Sequence, residues 1–230
     1  MKPEQVKPLL AQTEIFGELD DAALDLLSQK AVERKFRKGH VIFHQGDPGS
    51  SICVLVSGIV KVMVTSEKGD EMVLVTLESP ATFGELAVVD GLERSASVEV
   101  MEPCTVLFLD RDTLLSLIQS DSSFAEGLLR SLGALLRRLT DQAADFVFLD
   151  LHGRVAKLLL SYADSRGEKT DEGTVLDLHL TQGDIARMVG GSRQSINGIL
   201  RSFDERGYVE VRRKVVVLKR LDLLSRRAGL

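Results

Sequence analysis

The chain has no tryptophan, only two tyrosines, two cysteines, four histidines and five prolines in 230 residues. Two cysteines cannot build a disulfide framework. Cys53 and Cys104 both lie inside apolar runs, which suits buried thiols in a reducing compartment. A single disulfide or a redox pair is the alternative reading. Of the four histidines, His40 and His44 stand four apart on a predicted strand, a spacing that puts them on one face. No third ligand accompanies them, so packed or solvated imidazoles are expected and no metal. No apolar run approaches the roughly 18 residues of a membrane span. The start, MKPEQVKPLLAQTEIF, lacks the basic-then-apolar pattern of a secretion signal. A cytoplasmic chain without membrane contact is the expectation. There is no Ser-His-Asp arrangement, P-loop or Rossmann fingerprint, which argues against an enzyme.

What is present is an ordinary apolar fraction of 44% and an uneven distribution of charge. Residues 1–150 hold 14 Lys and Arg against 24 Asp and Glu, whereas residues 151–230 hold 15 against 10. An acidic half joined to a basic half suggests that the second meets an acidic polymer. The periodicity divides the chain as well. Residues 1–30 read as helical. From Val32 to Leu109, short Val- and Ile-rich runs alternate with glycines: HVIFHQG, SICVLVSG, VKVMVTSEKG, EMVLVTLE, SASVEV and CTVLFLD. Strands at this spacing predict an all-β barrel, sandwich or roll. Residues 112–149 return to helical period, and Leu128, Leu132, Leu135, Leu139, Gln142, Phe146 and Leu149 step as a heptad seam. A helix, GRVAKLLLSYADSR, follows, and then a polar stretch from Gly167 to Gly173 that reads as a surface loop.

Two segments carry chemistry. The first is FGELAVVDGLERSAS, Phe83 to Ser97. A buried arginine with flanking N–H groups suits a singly charged cyclic phosphate, and a fixed carboxylate suits a ribose hydroxyl. Arg94 and Ser95 would grip the phosphate and Glu85 the sugar, while Gly84 lets backbone approach closely. A surface loop with a salt bridge from Glu85 or Glu93 to Arg94 is the plainer alternative. The second segment is TQGDIARMVGGSRQSINGILRSFDERG, Thr181 to Gly207. Thr181 with Asp184 predicts a capping box, Gly190-Gly191 a tight break, and Ser192 the cap of a second helix. Ile196, Ile199, Leu200 and Phe203 give that helix its apolar face. Two short helices joined at a glycine turn predict a helix-turn-helix. Arg193, Gln194, Ser195 and Asn197 would then face base edges, where Arg forks onto guanine and Gln or Asn onto adenine. Thr181, Ser192 and Arg201 complete the candidate DNA-facing set. Two short strands after Tyr208 would form a wing whose Arg212, Arg213, Lys214, Lys219 and Arg220 meet phosphates.

The Phe83–Ser97 run resembles the phosphate-binding cassette of cyclic-nucleotide-binding domains in the cyclic-AMP receptor protein and fumarate-nitrate regulator family. Gly84, Glu85, Leu86, Arg94, Ser95 and Ala96 sit where that family has them. RKGHVIFHQGDPGSSICVLVSGIVKV resembles its opening strands, and Phe148-Leu149-Asp150 its hinge. The resemblance implies an α+β protein with a nucleotide-binding β-roll and N-terminal helix over residues 1–111. A long dimerisation helix and hinge would cover residues 112–149, and a winged helix-turn-helix residues 150–230. It further implies a homodimeric transcription regulator that binds a palindromic double-stranded DNA site under control of a cyclic nucleotide, cyclic AMP first. RNA polymerase would be a further partner, with residues 167–173 as the candidate contact.

Three positions depart from the family pattern. Where the family offers two hydroxyls near the adenine, this chain has Leu139 and Thr140. Gln194 replaces an acid in the recognition helix, and Gly198 replaces a second arginine. The N-terminal cysteine cluster with which oxygen-sensing relatives hold an iron–sulfur centre is absent. Binding of DNA without cyclic AMP, constitutively or under another ligand such as cyclic di-GMP, remains open. So does a nucleotide-regulated protein that does not bind DNA.

Overall fold

The computed structural model describes residues 1–212 and 215–230, so Arg213 and Lys214 lie outside the described residues. The chain forms two compact units, residues 1–137 and 138–230. No described helix is long and apolar enough to cross a membrane.

In the first unit, helices α1 (Pro3–Leu10) and α2 (Asp21–Lys30) precede six strands. These are β1 (Val32–Phe36), β2 (Val41–Phe43), β3 (Ser51–Thr65), β4 (Glu71–Glu78), β5 (Ala81–Phe83) and β6 (Ser97–Asp110), with helix α3 (Glu85–Asp90) between the last two. The antiparallel order is β1-β6-β3-β4, with β2 on β6 and β5 on β3. The sequence reads β3 and β6 as two strands each. The structure runs each through without a break, with register shifts between Leu55 and Val60 of β3. Gly58 makes this workable. Its φ is +86°, and a Cβ there would lie 2.5 Å from the Pro103 carbonyl oxygen. Such a bulge bends a strand without ending it, which helps curl the sheet into a β-roll.

Side-chain alternation then divides the core. Cys53, Leu55, Val60, Phe83, Val98, Val100 and Val106 pack together in one cluster. Ile52, Val54, Leu107 and Leu109 join Phe16, Leu27, Leu114 and Phe124 of the helical layer in another. Strand β1, VERKF, lay outside the runs read as strands. It has no buried residue and pairs only with β6, so apolar alternation could not reveal it.

The helical stretch expected from 112 to 149 is two helices, α4 (Arg111–Ser120) and α5 (Ser122–Phe148). Asp121 is extended at φ −133°, and its carboxylate accepts the N–H groups of Ser123 and Phe124 at 2.9 and 3.3 Å. An acid in this role starts a new helix rather than continuing the old one. The first turns of α5 dock onto their own unit: Phe124, Gly127 and Leu128 are buried, and the Phe124 ring stacks on Phe16 at 5.7 Å.

That docking shifts the expected seam. Leu128 faces the core, Leu135 and Gln142 are half-buried, and the apolar residues left open follow another line. Leu129, Leu136, Leu139 and Phe146 are 67%, 66%, 40% and 37% exposed. With half-buried Leu132 and exposed Ala143 they step by three and four along one face.

The second unit contains α6 (Leu151–Arg166), β7 (Glu168–Thr170), β8 (Gly173–Asp177), α7 (Gln182–Val189), α8 (Arg193–Glu205), β9 (Val209–Val211), β10 (Val215–Leu218) and α9 (Leu221–Arg227). Its sheet order is β7-β8-β10-β9, antiparallel throughout. Residues 167–173, read as a loop, instead hold β7 and the turn into β8. All three β7 residues are exposed and polar, so the pairing leaves no apolar signature. Helix α9 was not anticipated. It is seven residues long and is anchored by Leu224, which is fully buried.

Candidate functional site

The Phe83–Ser97 run folds as strand β5, helix α3, and a loop leading into β6. Arg94 is drawn inward and is only 5% exposed. Its Nη1 donates to the Gly84 carbonyl at 2.8 Å, and its Nη2 to the Ser51 carbonyl at 2.7 Å and the Ser51 hydroxyl at 3.2 Å. The guanidinium lies 4.2 Å from the centroid of the Phe43 ring. Its Nε is buried with no hydrogen-bond partner. Burial depresses the Arg94 pKa, and the nearby charge of Glu85 and Asp47 partly restores it. Arg94 is thus a desolvated cation held by neutral oxygens, with one donor still unsatisfied. A buried cation of this kind favours an incoming anion strongly, because little water screens it.

The neighbouring residues define the rest of this site. Gly84 has φ +80°, and a Cβ there would stand 2.5 Å from Arg94 Nη1, so only glycine leaves room for the guanidinium. Glu85 and Leu86 are half-buried at the start of α3, Ala96 is buried, and Ser95 is exposed beside Arg94. Cys53 sits near Arg94 with its thiol pushed up to about 12 by burial, which keeps it neutral and poorly reactive. Cys53 and Cys104 are both buried and free. Ser51 and Phe43, which hold Arg94, were missed from sequence. A serine opening a strand and a phenylalanine within one give no local signal of a role across the roll. Leu139 and Thr140 are exposed on α5 in the second unit.

The helix-turn-helix is built as its caps dictate. The Thr181 hydroxyl accepts the Asp184 N–H at 3.1 Å, and the Asp184 carboxylate accepts the Thr181 N–H at 3.0 Å. The same hydroxyl donates to that carboxylate at 2.6 Å, and Thr181 is exposed. Gly190, at φ +67°, ends α7, and a Cβ on it would come within 2.7 Å of the Phe146 ring. Ser192 caps α8 by accepting the Ser195 N–H at 3.0 Å, and its hydroxyl shares a 2.8 Å hydrogen bond with that of Ser195. Ile196, Ile199, Leu200 and Phe203 are buried, whereas Arg193, Gln194, Ser195 and Asn197 are exposed at the helix start. Gly198 faces open space.

The two strands of the wing form as β9 and β10, and its described cations are ion-paired. Arg212 is ion-paired to Glu210 at 2.7 Å and also to Glu172, Lys219 pairs with Glu210 at 2.9 Å, and Arg220 forks onto Asp222. The β7–β8 hairpin brings Glu172 alongside Arg212, 40 residues away in sequence, whereas Glu210 and Asp222 lie two residues from Arg212 and Arg220. On α8 itself Arg201 pairs with Glu205 at 2.9 Å, while Arg193 forms no ion pair among the described residues.

A roll that holds a buried phosphate-type arginine, followed by a capped helix-turn-helix with a wing, defines a DNA-binding regulator with a cyclic-nucleotide-binding domain. Residues 33–121 match the family described as cyclic nucleotide-binding domain, and residues 153–227 match the Crp-like helix-turn-helix domain. The chain belongs to the Crp/Fnr family of transcription regulators; it is not an enzyme. It is 35% identical over 222 residues, 96% of this chain and 98% of the relative, to the CRP-like cAMP-activated global transcriptional regulator of Mycobacterium tuberculosis. It is 30% identical over 199 residues to the cAMP-activated global transcriptional regulator Vfr of Pseudomonas aeruginosa, covering 85% and 92% of the two chains. Among solved structures it resembles the c-di-GMP responsive global regulator CLP of Xanthomonas campestris, with a TM-score of 0.72 and 25% identity over 86% of this chain and 99% of that one.

Proposed function

We propose that this protein is a cytoplasmic homodimer that binds cyclic AMP in each β-roll and, so loaded, binds a palindromic DNA site. The observation that carries the ligand reading is the buried Arg94, bonded only to neutral oxygens and with Nε unsatisfied. In this reading the cyclic phosphate bonds Arg94 and Ser95, and Glu85 takes the ribose hydroxyl. Gly84, Leu86 and Ala96 bring backbone close, and Leu139 and Thr140 of α5 meet the base. The two relatives named as cAMP-activated support cyclic AMP. A second reading, cyclic di-GMP, is favoured by Leu139 in place of a hydroxyl and by the likeness to a c-di-GMP responsive regulator.

The open apolar face of α5 supports pairing of two subunits along residues 129–146. Two Arg193–Asn197 faces would then read successive major grooves about 34 Å apart. Gln194 favours adenine at its position, and Arg193 guanine at the neighbouring one. Asn197 faces base edges beside them, and Arg201 and the wing, including Arg212, Arg213 and Lys214, assist on the phosphates. The functional domains run 1–111, 112–149 and 150–230, and residues 167–173 are the candidate contact for RNA polymerase. Selection of DNA sites with the purified protein, with and without cyclic AMP, tests this reading. Palindromic sites enriched only with the nucleotide are expected; equal enrichment without it would contradict ligand control.

A further inference from the structure

Helix α9 borders an open cavity of about 360 Å3 in the second unit, within the size range of small-ligand clefts. His152 comes from the first turn of α6, Ser202 from the end of α8 and Arg206 from its C-cap. Tyr208 follows α8, and Arg226 and Arg227 come from the last turn of α9. Phe203, stacked on Tyr208 at 5.8 Å and met edge-on by His152 at 6.1 Å, helps form an apolar floor. No carboxylate lines the cavity. Arg206, Arg226, His152, Ser202 and Tyr208 line this space, and Arg227, the third arginine, is paired with Asp150.

Two nearby acids, Glu205 and Asp222, are engaged elsewhere. Glu205 bonds Arg201, and Asp222 is forked by Arg220. Asp150 caps α6 through the Gly153 N–H while pairing with Arg227. Arg206 and Arg226 are exposed and form no ion pair among the described residues. Guanidiniums and hydroxyls gathered this way match the several acceptor oxygens of a phosphate group.

We propose that this cavity binds a phosphate-bearing small molecule, at a site separate from the Arg94 site of the other unit. Its place on α8 favours a soluble ester over bound DNA. The base-facing residues open the helix, whereas Arg206 follows its last residue, about 20 Å away along the axis at 1.5 Å per residue.

Inorganic pyrophosphate is the probe, titrated calorimetrically at low ionic strength into the full chain, its Arg94→Leu variant and an Arg206→Ala/Arg226→Ala double variant. The two substituted arginines are exposed, so truncation leaves the fold intact, which a thermal melt verifies. The first two proteins should bind alike and the double variant at least tenfold more weakly. The His152 ring resonances should shift on titration of the first two. Equal binding by the double variant, or binding by none of the three, overturns the proposal. It is overturned as well if pyrophosphate is ignored while the double variant lowers the salt dependence of DNA binding, because the cavity then serves the duplex backbone.

Discussion

Arg94 has its charge indoors and its hydrogen bonds on backbone oxygens, so the cost of its burial is offset only in part without an anion. Hydrogen bonds to a charged group contribute about 1.5–3 kcal/mol. Arg94→Leu should therefore weaken cyclic AMP binding by at least tenfold to a hundredfold while leaving a folded roll, as calorimetry and circular dichroism would read. Gly84→Ala should weaken binding too, because its methyl would displace Nη1, whereas Gly69→Ala, at similar φ but with open space around it, should not. At this scale the sequence was partly legible. Arg94, Glu85 and Gly84 stood out because a phosphate and a sugar need those residue types close together. Ser51 lies 43 residues from Arg94 in sequence, and the strand pairing that joins them leaves no trace in local composition.

Helices α7 and α8 form where the sequence places them because their start signals are local: Thr181 with Asp184, Ser192, and glycine between. Thr181→Ala should cost about 1 kcal/mol of stability in the second unit, measured by denaturant unfolding. Asp110 caps α4 through Thr113, and those hydrogen bonds hold its carboxyl below the usual carboxylate value. The stability it adds is full above the unfolded value near 3.8 and is lost as pH falls through the lower folded value. Asp110→Asn should therefore destabilise at neutral pH, with the difference from the parent narrowing in acid.

Other elements were illegible for physical reasons. The break at Asp121 is one residue long, β1 and β7 carry no apolar alternation, and α9 is too short for a periodic signal. The start of the expected seam on α5 faces its own unit, where Leu128 is buried, a tertiary effect. In the proposed dimer, Leu136→Glu, on the open face, should cause dissociation in analytical ultracentrifugation, whereas Gln142→Leu, half-buried and off that line, should not.

For the whole molecule, the charge division is the feature that outlasts local detail: an acidic first part and a basic second part on one chain. Arg212 and Arg220 of the wing are paired with Glu210, Glu172 and Asp222, whereas Arg193 at the start of α8 forms no ion pair among the described residues. Arg193→Ala should lower affinity for the selected site by about 1–3 kcal/mol and relax its sequence preference, while affinity for random DNA falls much less. Ligand control further requires that the nucleotide favour one arrangement of the dimer over another, since a ligand equally content with both shifts nothing.

The measurement that bears most directly on this account is a calorimetric titration of the full chain with cyclic AMP, with cyclic GMP and cyclic di-GMP in parallel and the Arg94→Leu variant as control. The account predicts micromolar or tighter binding of cyclic AMP, one per subunit, lost in the variant. No binding of cyclic AMP, or binding that Arg94→Leu leaves unchanged, would contradict it.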